Sequence, residues 1–345
     1  MIPQTEINVQ NLSLQSSSRA LWQEEMAAII RDPATLLEQL ELPQNLLPEA
    51  ESAHALFPLR VPRPYLRRIR KGNLNDPLLK HVLPLGAEHA QVPGFSTDPL
   101  AEQQHNPRPG VIHKYHGRVL MIANGSCAIN CRYCFRRHFP YEDNRLGKAQ
   151  WQQSLEYIRQ DSSITEVILS GGDPLTMTDE RLAWLLEELA AIPHLRRLRI
   201  HSRLPLVIPS RVNERLIRNL EDFPRPVTLV NHINHAQEID DEVVGAMKKL
   251  RQAGVHLLNQ AVLLRGINDR LETQEHLWER VFEAGILPYY LFTLDAVQGA
   301  AHFDVPDTEA VALFTALQAR LPGYLVPRLA REIPERANKT LLFAT

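Results

Sequence analysis

The sequence predicts an α/β protein, either a partial, TIM-like (β/α)6 barrel or an open parallel sheet, preceded by a mostly helical region. Along residues 118–323, six short apolar segments are each followed by an amphipathic segment with helical spacing. Such alternation predicts parallel strands joined by helical crossovers. A closed barrel of this type needs eight units, so six favour an incomplete barrel or an open sheet. In either case, functional residues are expected at the carboxyl ends of the strands.

The predicted elements divide the chain into a helical N-terminal region, residues 1–110, and a barrel region, residues 111–345. In the first region, apolar residues at helical spacing predict helix over 19–42, interrupted at Pro33. The strands of the barrel region are predicted at 118–124, 165–171, 197–202, 227–233, 255–264 and 286–294. Its helices are predicted at 150–160, 179–192, 213–223, 240–254, 272–285 and 307–323. A basic stretch at 57–72 is interpreted as solvated surface, with a docking patch for an acidic partner as the alternative.

Composition excludes several classes of protein. The chain has 345 residues, of which 44% are hydrophobic and 23% charged, which is enough for one large domain or two ordinary ones. A net charge of −2 gives no reason to expect a nucleic-acid partner. There is no apolar stretch long enough to span a bilayer, and residues 1–15 lack the pattern of a signal peptide. A cytoplasmic location is therefore expected.

The three cysteines of the chain, Cys127, Cys131 and Cys134, lie together just after the first predicted barrel strand. Disulfide scaffolds use an even number of cysteines spread along the chain, so the cluster indicates metal or redox chemistry. One interpretation is a zinc site with His138 as fourth ligand. The favoured one is an iron–sulfur cubane, in which three thiolates leave one iron open to a small molecule.

The Cys-x3-Cys-x2-Cys spacing resembles the radical S-adenosylmethionine (radical SAM) superfamily. The resemblance implies a [4Fe–4S] cluster whose open iron binds S-adenosylmethionine, and a radical SAM partial (β/α)6 TIM-like barrel. The second predicted strand runs into a segment, LSGGDPL, that contains Gly171, Gly172 and Asp173. The superfamily places a glycine-rich stretch there against S-adenosylmethionine, and glycines allow the backbone to approach a ligand closely. An ordinary turn is the alternative.

A narrower resemblance extends from about residue 95 to the C-terminus. Segments similar to the lysine 2,3-aminomutase family occur in the family's order, and they are HKYHGRVL, CRYCFRR, RIHSRLPLVIPSR, NHINHAQEI, GVHLLNQAVLLRGIND, LDAVQGAAHF and GYLVP. The family moves the α-amino group of lysine to the β carbon with S-adenosylmethionine, the cluster and pyridoxal phosphate. The resemblance therefore implies an isomerase that converts L-lysine to (R)-β-lysine.

The resemblance also implies a set of cofactor-binding residues. Lys339, twelve residues after Pro327, matches the lysine that forms the Schiff base with pyridoxal phosphate. The glycine run that precedes this lysine in the family is Glu-Arg-Ala-Asn here, so the loop departs from the family pattern. Arg118 matches the arginine that holds the phosphate, Lys114 stands where the family has a second arginine, and Tyr115 matches a tyrosine near the ring.

Further matches concern the substrate and S-adenosylmethionine. Arg136 matches the arginine that takes the lysine carboxylate. Asp295 matches one of two aspartates that hold the ε-ammonium, and Glu332 occupies the place of the other with one more methylene. His232 and Gln260 match positions near S-adenosylmethionine, although His232 is also explained as an interior histidine.

The cysteine content indicates a particular branch of the family. Longer members bind structural zinc through additional cysteines, but Arg270 replaces one of these and no cysteine lies outside the triplet, so no zinc is expected. The short, zinc-free form resembles the bacterial branch that makes β-lysine for elongation factor P, which implies that factor and its ligase as pathway partners. Alternatives are a radical mutase for another amino acid or for a protein-bound lysine, and a non-catalytic metal-binding scaffold.

Overall fold

The computed structural model describes residues 19–141 and 147–343, which form one nine-stranded sheet with helices around it. The prediction about a signal peptide, made on residues 1–15, lies outside these residues. The strands are β1 (Val111–Tyr115), β2 (Arg118–Asn124), β3 (Glu166–Gly171), β4 (Arg197–His201), β5 (Val227–Asn231), β6 (His256–Val262), β7 (Leu287–Phe292), β8 (Arg328–Arg331) and β9 (Thr340–Leu341). Among the described residues, no helix is both long and apolar enough to cross a lipid bilayer.

The described residues form twelve α-helices, which fall into two groups. The first group precedes the sheet and consists of α1 (Leu21–Ala27), α2 (Pro33–Gln39), α3 (Leu47–Leu56), α4 (Arg63–Leu66) and α5 (Pro77–Val82). The second group alternates with the strands and consists of α6 (Lys148–Gln160), α7 (Asp179–Ala190), α8 (Leu204–Val207), α9 (Glu214–Glu221), α10 (Asp241–Gln252), α11 (Leu271–Glu283) and α12 (Asp307–Arg320).

The strands lie side by side in chain order from β1 to β9. Strands β2 to β8 are parallel to one another, whereas β1 and β9 pair antiparallel with β2 and β8 at the two edges. The six predicted strand–helix units are present, and the partial-barrel fold class is confirmed. The sequence prediction missed β1, β8 and β9. Strands β8 and β9 have only four and two residues, which is too few for a recognisable alternation.

Local sequence signals explain where several helices begin and end. The predicted interruption at Pro33 is the start of α2, where Asp32 caps the helix by accepting a hydrogen bond from the Thr35 backbone N–H at 2.9 Å. Proline suits this position because its missing N–H is not needed in the first turn. Gly254 ends α10 with a φ of +76°, a left-handed conformation that glycine adopts without strain.

The helices of the N-terminal region share one hydrophobic core with the barrel. Leu36, Leu37 and Tyr65 from the first region belong to the same buried cluster as Val119 and Leu169 from the strands. The two regions therefore pack on each other through apolar contacts. The predicted division at residue 110 remains a prediction about domains.

The basic stretch at 57–72 is only partly on the surface. The interpretation as solvated surface is wrong for Arg68, which is buried and donates hydrogen bonds to Asp240 at 2.6 Å and to the Leu206 carbonyl oxygen at 2.6 Å. Arg67, by contrast, is exposed and pairs with Glu242 at 3.1 Å. Arg68 thus fastens the N-terminal region to the barrel.

Candidate active site

A cavity of about 550 Å³ opens at the carboxyl ends of the parallel strands. Apart from His138 of the alternative zinc site, every residue that the sequence analysis proposed for cofactor, metal or substrate binding lines it. These residues are Lys114, Tyr115, Arg118, Cys127, Cys131, Cys134, Arg136, Gly171, Gly172, Asp173, His232, Gln260, Asp295, Glu332 and Lys339. They come from seven of the nine strands or from the segments that follow them, so the fold collects residues that are more than 200 positions apart.

The three cysteines lie on the loop that follows β2 and are free thiols. Burial raises the pKa of the Cys127 thiol well above its usual range, and burial together with the neighbouring Cys131 charge raises that of Cys134 to about 11. The Arg203 guanidinium donates a hydrogen bond to the Cys131 sulfur at 2.6 Å. Three thiols on one loop are the donor set of a cubane with one open iron.

The geometry bears on the alternative zinc site as well. His138 is exposed, and its imidazole contacts the Gln298 carbonyl oxygen at 3.2 Å rather than lining the cavity with the thiols. Among residues 19–141 and 147–343, no three histidine, cysteine or acidic side chains converge on a single metal position. A cubane does not require such convergence, because each thiolate binds a different iron.

Gly171 and Gly172 allow the end of β3 to lie directly against the cysteine loop. A Cβ atom on Gly171 would lie 2.6 Å from the Asn124 carbonyl oxygen, and one on Gly172 would lie 2.7 Å from the Ser126 carbonyl oxygen. Gly171 also has a φ of +112°, which side-chain-bearing residues rarely adopt. The glycines are therefore required for packing of the cysteine loop, in addition to lining the cavity.

The Asp173 carboxylate connects the ends of β3 and β4. It accepts hydrogen bonds from the Ser202 hydroxyl at 2.7 Å and from the backbone N–H groups of Arg203, Leu204 and Leu175 at 2.8, 2.9 and 3.0 Å. Four protein donors satisfy most of the capacity of one carboxylate. The structure therefore gives Asp173 a role in shaping the cavity wall.

A cluster of cations surrounds Tyr115 at one side of the cavity. The β1–β2 hairpin turns at His116 and Gly117 and pairs Tyr115 with Arg118, whose guanidinium carbon lies 4.5 Å from the Tyr115 ring centroid. The Lys114 and Lys339 ammonium groups each lie 5.7 Å from the same centroid. Within the described part of the chain, no carboxylate lies within ion-pair distance of Arg118. An arginine without an acidic partner beside an aromatic ring fits the phosphate and ring of pyridoxal phosphate.

Strand β9 brings Lys339 opposite Glu332. The antiparallel register pairs Arg331 with Thr340, so Glu332 and Lys339 are the next residues to face each other. Glu332 forms an ion pair with Lys339, accepts a hydrogen bond from the Tyr115 hydroxyl at 2.8 Å and pairs with Lys114 at 3.2 Å. Burial opposes ionisation of Glu332, but the Lys339 ammonium outweighs it and lowers the pKa to about 2.

The loop before Lys339 adopts an unusual conformation where the family has its glycine run. Glu335, the first residue of the Glu-Arg-Ala-Asn replacement, has a φ of +65°. A side-chain-bearing residue in this left-handed region costs about 1–2 kcal/mol. The backbone thus keeps a shape that glycine adopts readily, although the glycine itself is gone.

The residues proposed to bind the carboxylate and the ammonium group of the substrate differ in their own ion pairs. Arg136 is buried and forms a two-bond pair with Glu102, with Nε–Oε2 at 2.8 Å and Nη2–Oε1 at 2.6 Å. Asp295, in contrast, has no ion pair among the described residues. Burial and then the Glu332 charge raise the pKa of Asp295 to about 7. An added cation is the partner that this environment lacks.

His232 and Gln260 contact each other, as expected for two residues at one site. The Gln260 amide nitrogen lies 3.0 Å from the His232 Nε2 atom, and burial lowers the pKa of His232 to about 3. His232 is therefore neutral at physiological pH. The structure adds His201, whose ring centroid lies 5.9 Å from that of His232. The buried Nε2 atom of His201 has no hydrogen-bond partner among the residues that the structure describes.

The side chains that line the cavity and that sequence reasoning did not assign include Glu102, His201 and Arg203. His201 and Arg203 lie inside the segment RIHSRLPLVIPSR, so the resemblance marked their position without indicating their contacts. Glu102 lies outside the resembling motifs and pairs with a residue 34 positions away, which periodicity does not reveal. Only the three-dimensional structure identifies it.

Comparison with known proteins agrees with this geometry. The sequence model of the radical SAM superfamily matches residues 121–277, which include the cysteine loop and strands β3 to β6. The fold and the cysteine site therefore define a radical SAM enzyme. The L-lysine 2,3-aminomutase of Escherichia coli (strain K12) is 51% identical over 332 residues, which cover 96% of this chain and 97% of that protein. That of Haemophilus influenzae is 50% identical, covering 90% and 92%. The chain belongs to the lysine 2,3-aminomutase family.

Membership of the family confirms several predictions made from the sequence. The enzyme class, an isomerase, is confirmed, as is the cofactor set of a [4Fe–4S] cluster, S-adenosylmethionine and pyridoxal phosphate. Among solved structures, a radical SAM methyltransferase from Sphaerobacter thermophilus matches with a TM-score of 0.44 and 16% identity, covering 64% of this chain and 68% of that one. This structural likeness is too low to refine the assignment.

Proposed function

We propose that the chain converts L-lysine to (R)-β-lysine, with Lys339 as the residue that holds pyridoxal phosphate and the three cysteines as the ligands of the cluster. The observation that carries this proposal is the convergence of Lys339, Arg136, Asp295 and the cysteine triplet in one cavity. These residues are far apart in the sequence, and only the fold brings them together. The relatives that match most of the chain are named L-lysine 2,3-aminomutases, which supports the same substrate.

The cation cluster and Lys339 would hold pyridoxal phosphate. Arg118 and Lys114 supply positive charge for a phosphate, and Tyr115 supplies an aromatic face close to Lys339. When bound, the cluster with S-adenosylmethionine supplies hydrogen abstraction, and pyridoxal phosphate supplies the π system for nitrogen migration. The chain itself binds and orients the reactants and keeps water from them.

Charges in the cavity explain why lysine would be selected. Arg136 provides a fork for the α-carboxylate, while Asp295 provides an ionisable group whose pKa near 7 falls when an ammonium binds beside it. Glu332 adds negative charge on the same side. A dicarboxylic amino acid would place its second carboxylate next to Asp295 and Glu332, and like charges repel. A lysine within a protein lacks the free carboxylate that Arg136 would recognise.

The test is an anaerobic assay of the reconstituted, reduced protein with S-adenosylmethionine, pyridoxal phosphate and L-lysine, followed by mass spectrometry and chiral chromatography. We expect (R)-β-lysine from the parent and none from Lys339→Ala, which should retain its iron. Lys148→Ala is a matched control, since Lys148 lies over the Trp184 ring on the outside of the barrel and should not affect the product. Formation of 5′-deoxyadenosine without β-lysine would rule out free lysine as the substrate.

We further propose that the β-lysine is made in the cytoplasm and is transferred to elongation factor P by a partner ligase. The absence of cysteines outside the triplet supports this, because it matches the zinc-free branch described above. Elongation factor P co-produced with its ligase should gain the mass of one β-lysine with the parent chain but not with Lys339→Ala. An unmodified factor in both cultures would refute this assignment.

A further inference from the structure

The proposed carboxylate-binding residue, Arg136, is already bound to a carboxylate of its own chain. Its Nε and Nη2 atoms donate to the two oxygens of Glu102, at 2.8 and 2.6 Å, in the fork geometry that arginine uses for bound carboxylates. Its Nη1 atom donates to the Ser170 hydroxyl at 3.1 Å and, more weakly, to the Gly171 carbonyl oxygen at 3.4 Å. The side on which a substrate carboxylate would form two strong bonds is therefore taken by Glu102.

Glu102 lies on residues 97–110, a segment that we call the strap. In space, the strap begins beside the loop that follows β7, and it ends at the beginning of β1. Before the strap, Ser96 exchanges two backbone hydrogen bonds with that loop, to the Ala296 carbonyl oxygen and from the Gln298 N–H, each 2.9 Å long. The strap thus joins elements that lie near opposite edges of the sheet. Both Leu100 and Glu102 line the cavity, so the strap forms part of its wall.

The strap has a conformation that favours movement of Glu102. Ala101 has a φ of +51°, a left-handed conformation that costs a side-chain-bearing residue about 1–2 kcal/mol. Glu102 then begins a short 3-10 helix, Glu102–His105, whose first two N–H groups donate to Asp98 at 3.0 and 3.3 Å. Strain of this kind persists only where other contacts hold it, and the Arg136 pair is such a contact.

We propose that Glu102 is an internal carboxylate that the substrate carboxylate replaces on Arg136, and that the strap moves when the exchange occurs. This inference rests on the proposed function, in which Arg136 binds the α-carboxylate of lysine. Two carboxylates on one buried guanidinium repel each other, so the arrival of one favours the departure of the other. The exchange leaves Arg136 paired in both states and never leaves a buried charge alone.

The exchange makes Glu102 a specificity-determining residue. A ligand gains from Arg136 only if it carries a carboxylate that competes with Glu102, so a diamine such as pentane-1,5-diamine gains nothing there. Loss of Glu102 should therefore tighten the binding of lysine but not that of the diamine. If Glu102 instead only held Arg136 in position, its loss would weaken the binding of lysine.

The first experiment compares the KM for L-lysine in the fully loaded parent enzyme and in Glu102→Gln. We expect a KM about three- to tenfold lower in the variant, the size of one competing hydrogen-bonded contact. Glu88→Gln is the matched control: Glu88 forms the same two-bond pair with buried Arg132, but neither residue lines the cavity. That variant should not lower the KM. An increased KM in Glu102→Gln would overturn the proposal.

The second experiment measures hydrogen–deuterium exchange in the strap. Lysine should accelerate exchange of the Glu102 and Gln103 amides in the parent, and Glu102→Gln should show the faster exchange without lysine. Unchanged or slower exchange with lysine would refute the movement of the strap. Arg136→Gln tests the carboxylate site separately from the exchange. If Arg136→Gln binds lysine more weakly but Glu102→Gln does not bind it more tightly, the site is correct and only the exchange is wrong. If Arg136→Gln binds lysine as the parent does, the carboxylate site itself is wrong.

Discussion

Two carboxylates in the same cavity, Asp295 and Glu332, have opposite electrostatic environments. Glu332 contacts Lys339, Lys114 and the Tyr115 hydroxyl, and its pKa is lowered to about 2. Asp295 has no ion pair among the described residues, and burial raises its pKa to about 7. Both matched positions for the substrate ammonium, but only Asp295 lacks a cation. The difference shows that the neighbouring charges, and not the position in a motif, determine how each carboxylate ionises.

The first prediction concerns catalysis. Asp295→Asn removes the charge that would bind the ε-ammonium, so kcat/KM for lysine should fall by about 10²–10³-fold, which corresponds to a lost charge-assisted contact of about 3–4 kcal/mol. Glu332→Gln should raise the KM for lysine less than Asp295→Asn does, since the Glu332 carboxylate already pairs with Lys339 and Lys114. Steady-state kinetics of both variants at equal iron content decides the matter. An equal effect on KM would show that the two carboxylates act alike.

The second prediction concerns stability, on which the two substitutions should have opposite effects. Glu332→Gln leaves Lys114 and Lys339 without their carboxylate, and breaking a buried pair should lower the free energy of unfolding by about 3 kcal/mol. Asp295→Asn removes a buried charge that has no ion-pair partner in the described part of the chain, and should raise the free energy of unfolding by about 1–3 kcal/mol at pH 8. Urea denaturation of the empty proteins measures both. A destabilised Asp295→Asn variant would contradict the account.

The third prediction concerns pH. The Asp295 carboxyl ionises near pH 7 in the folded chain but near 3.8 when unfolded. The folded state therefore binds more protons between these values, and the contribution of Asp295 to stability is lost as pH rises from about 4 to 7. In the same range, kcat/KM for lysine should rise as Asp295 becomes negative. Asp295→Asn should flatten both dependences, and an unchanged pH profile in the variant would assign the titration to another group.

The fourth and smallest prediction concerns the loop that presents Lys339 to Glu332. Glu335→Gly should relieve the left-handed strain and stabilise the protein by up to about 1 kcal/mol, with tighter retention of pyridoxal phosphate. Glu41→Gly is a control, because Glu41 has a similar φ of +54° at the end of α2, away from the cavity. It should raise stability without affecting the cofactor. Equal cofactor retention in the parent, Glu335→Gly and Glu41→Gly would show that strain in this loop does not affect pyridoxal phosphate binding.

Much of the fold and part of the site could be predicted from the sequence. Alternating apolar and amphipathic segments predicted the six strand–helix units, since burial of each element produces a recognisable period. The cysteine spacing predicted the cluster loop from chemistry alone. Lys339, however, could be identified only through resemblance, because an isolated lysine near a chain end carries no pattern. The Glu102–Arg136 pair could not be predicted, because it depends on how the strap packs as part of the cavity wall.

The central claim is that the cluster half and the lysine half of the cavity form one active site. The most direct measurement uses L-lysine deuterated at its β carbon, incubated anaerobically with the loaded, reduced enzyme. We predict that deuterium appears in the 5′ carbon of the adenosyl group and that β-lysine forms in the same reaction. Cleavage of S-adenosylmethionine that gives only unlabelled 5′-deoxyadenosine, with no β-lysine, would contradict the account.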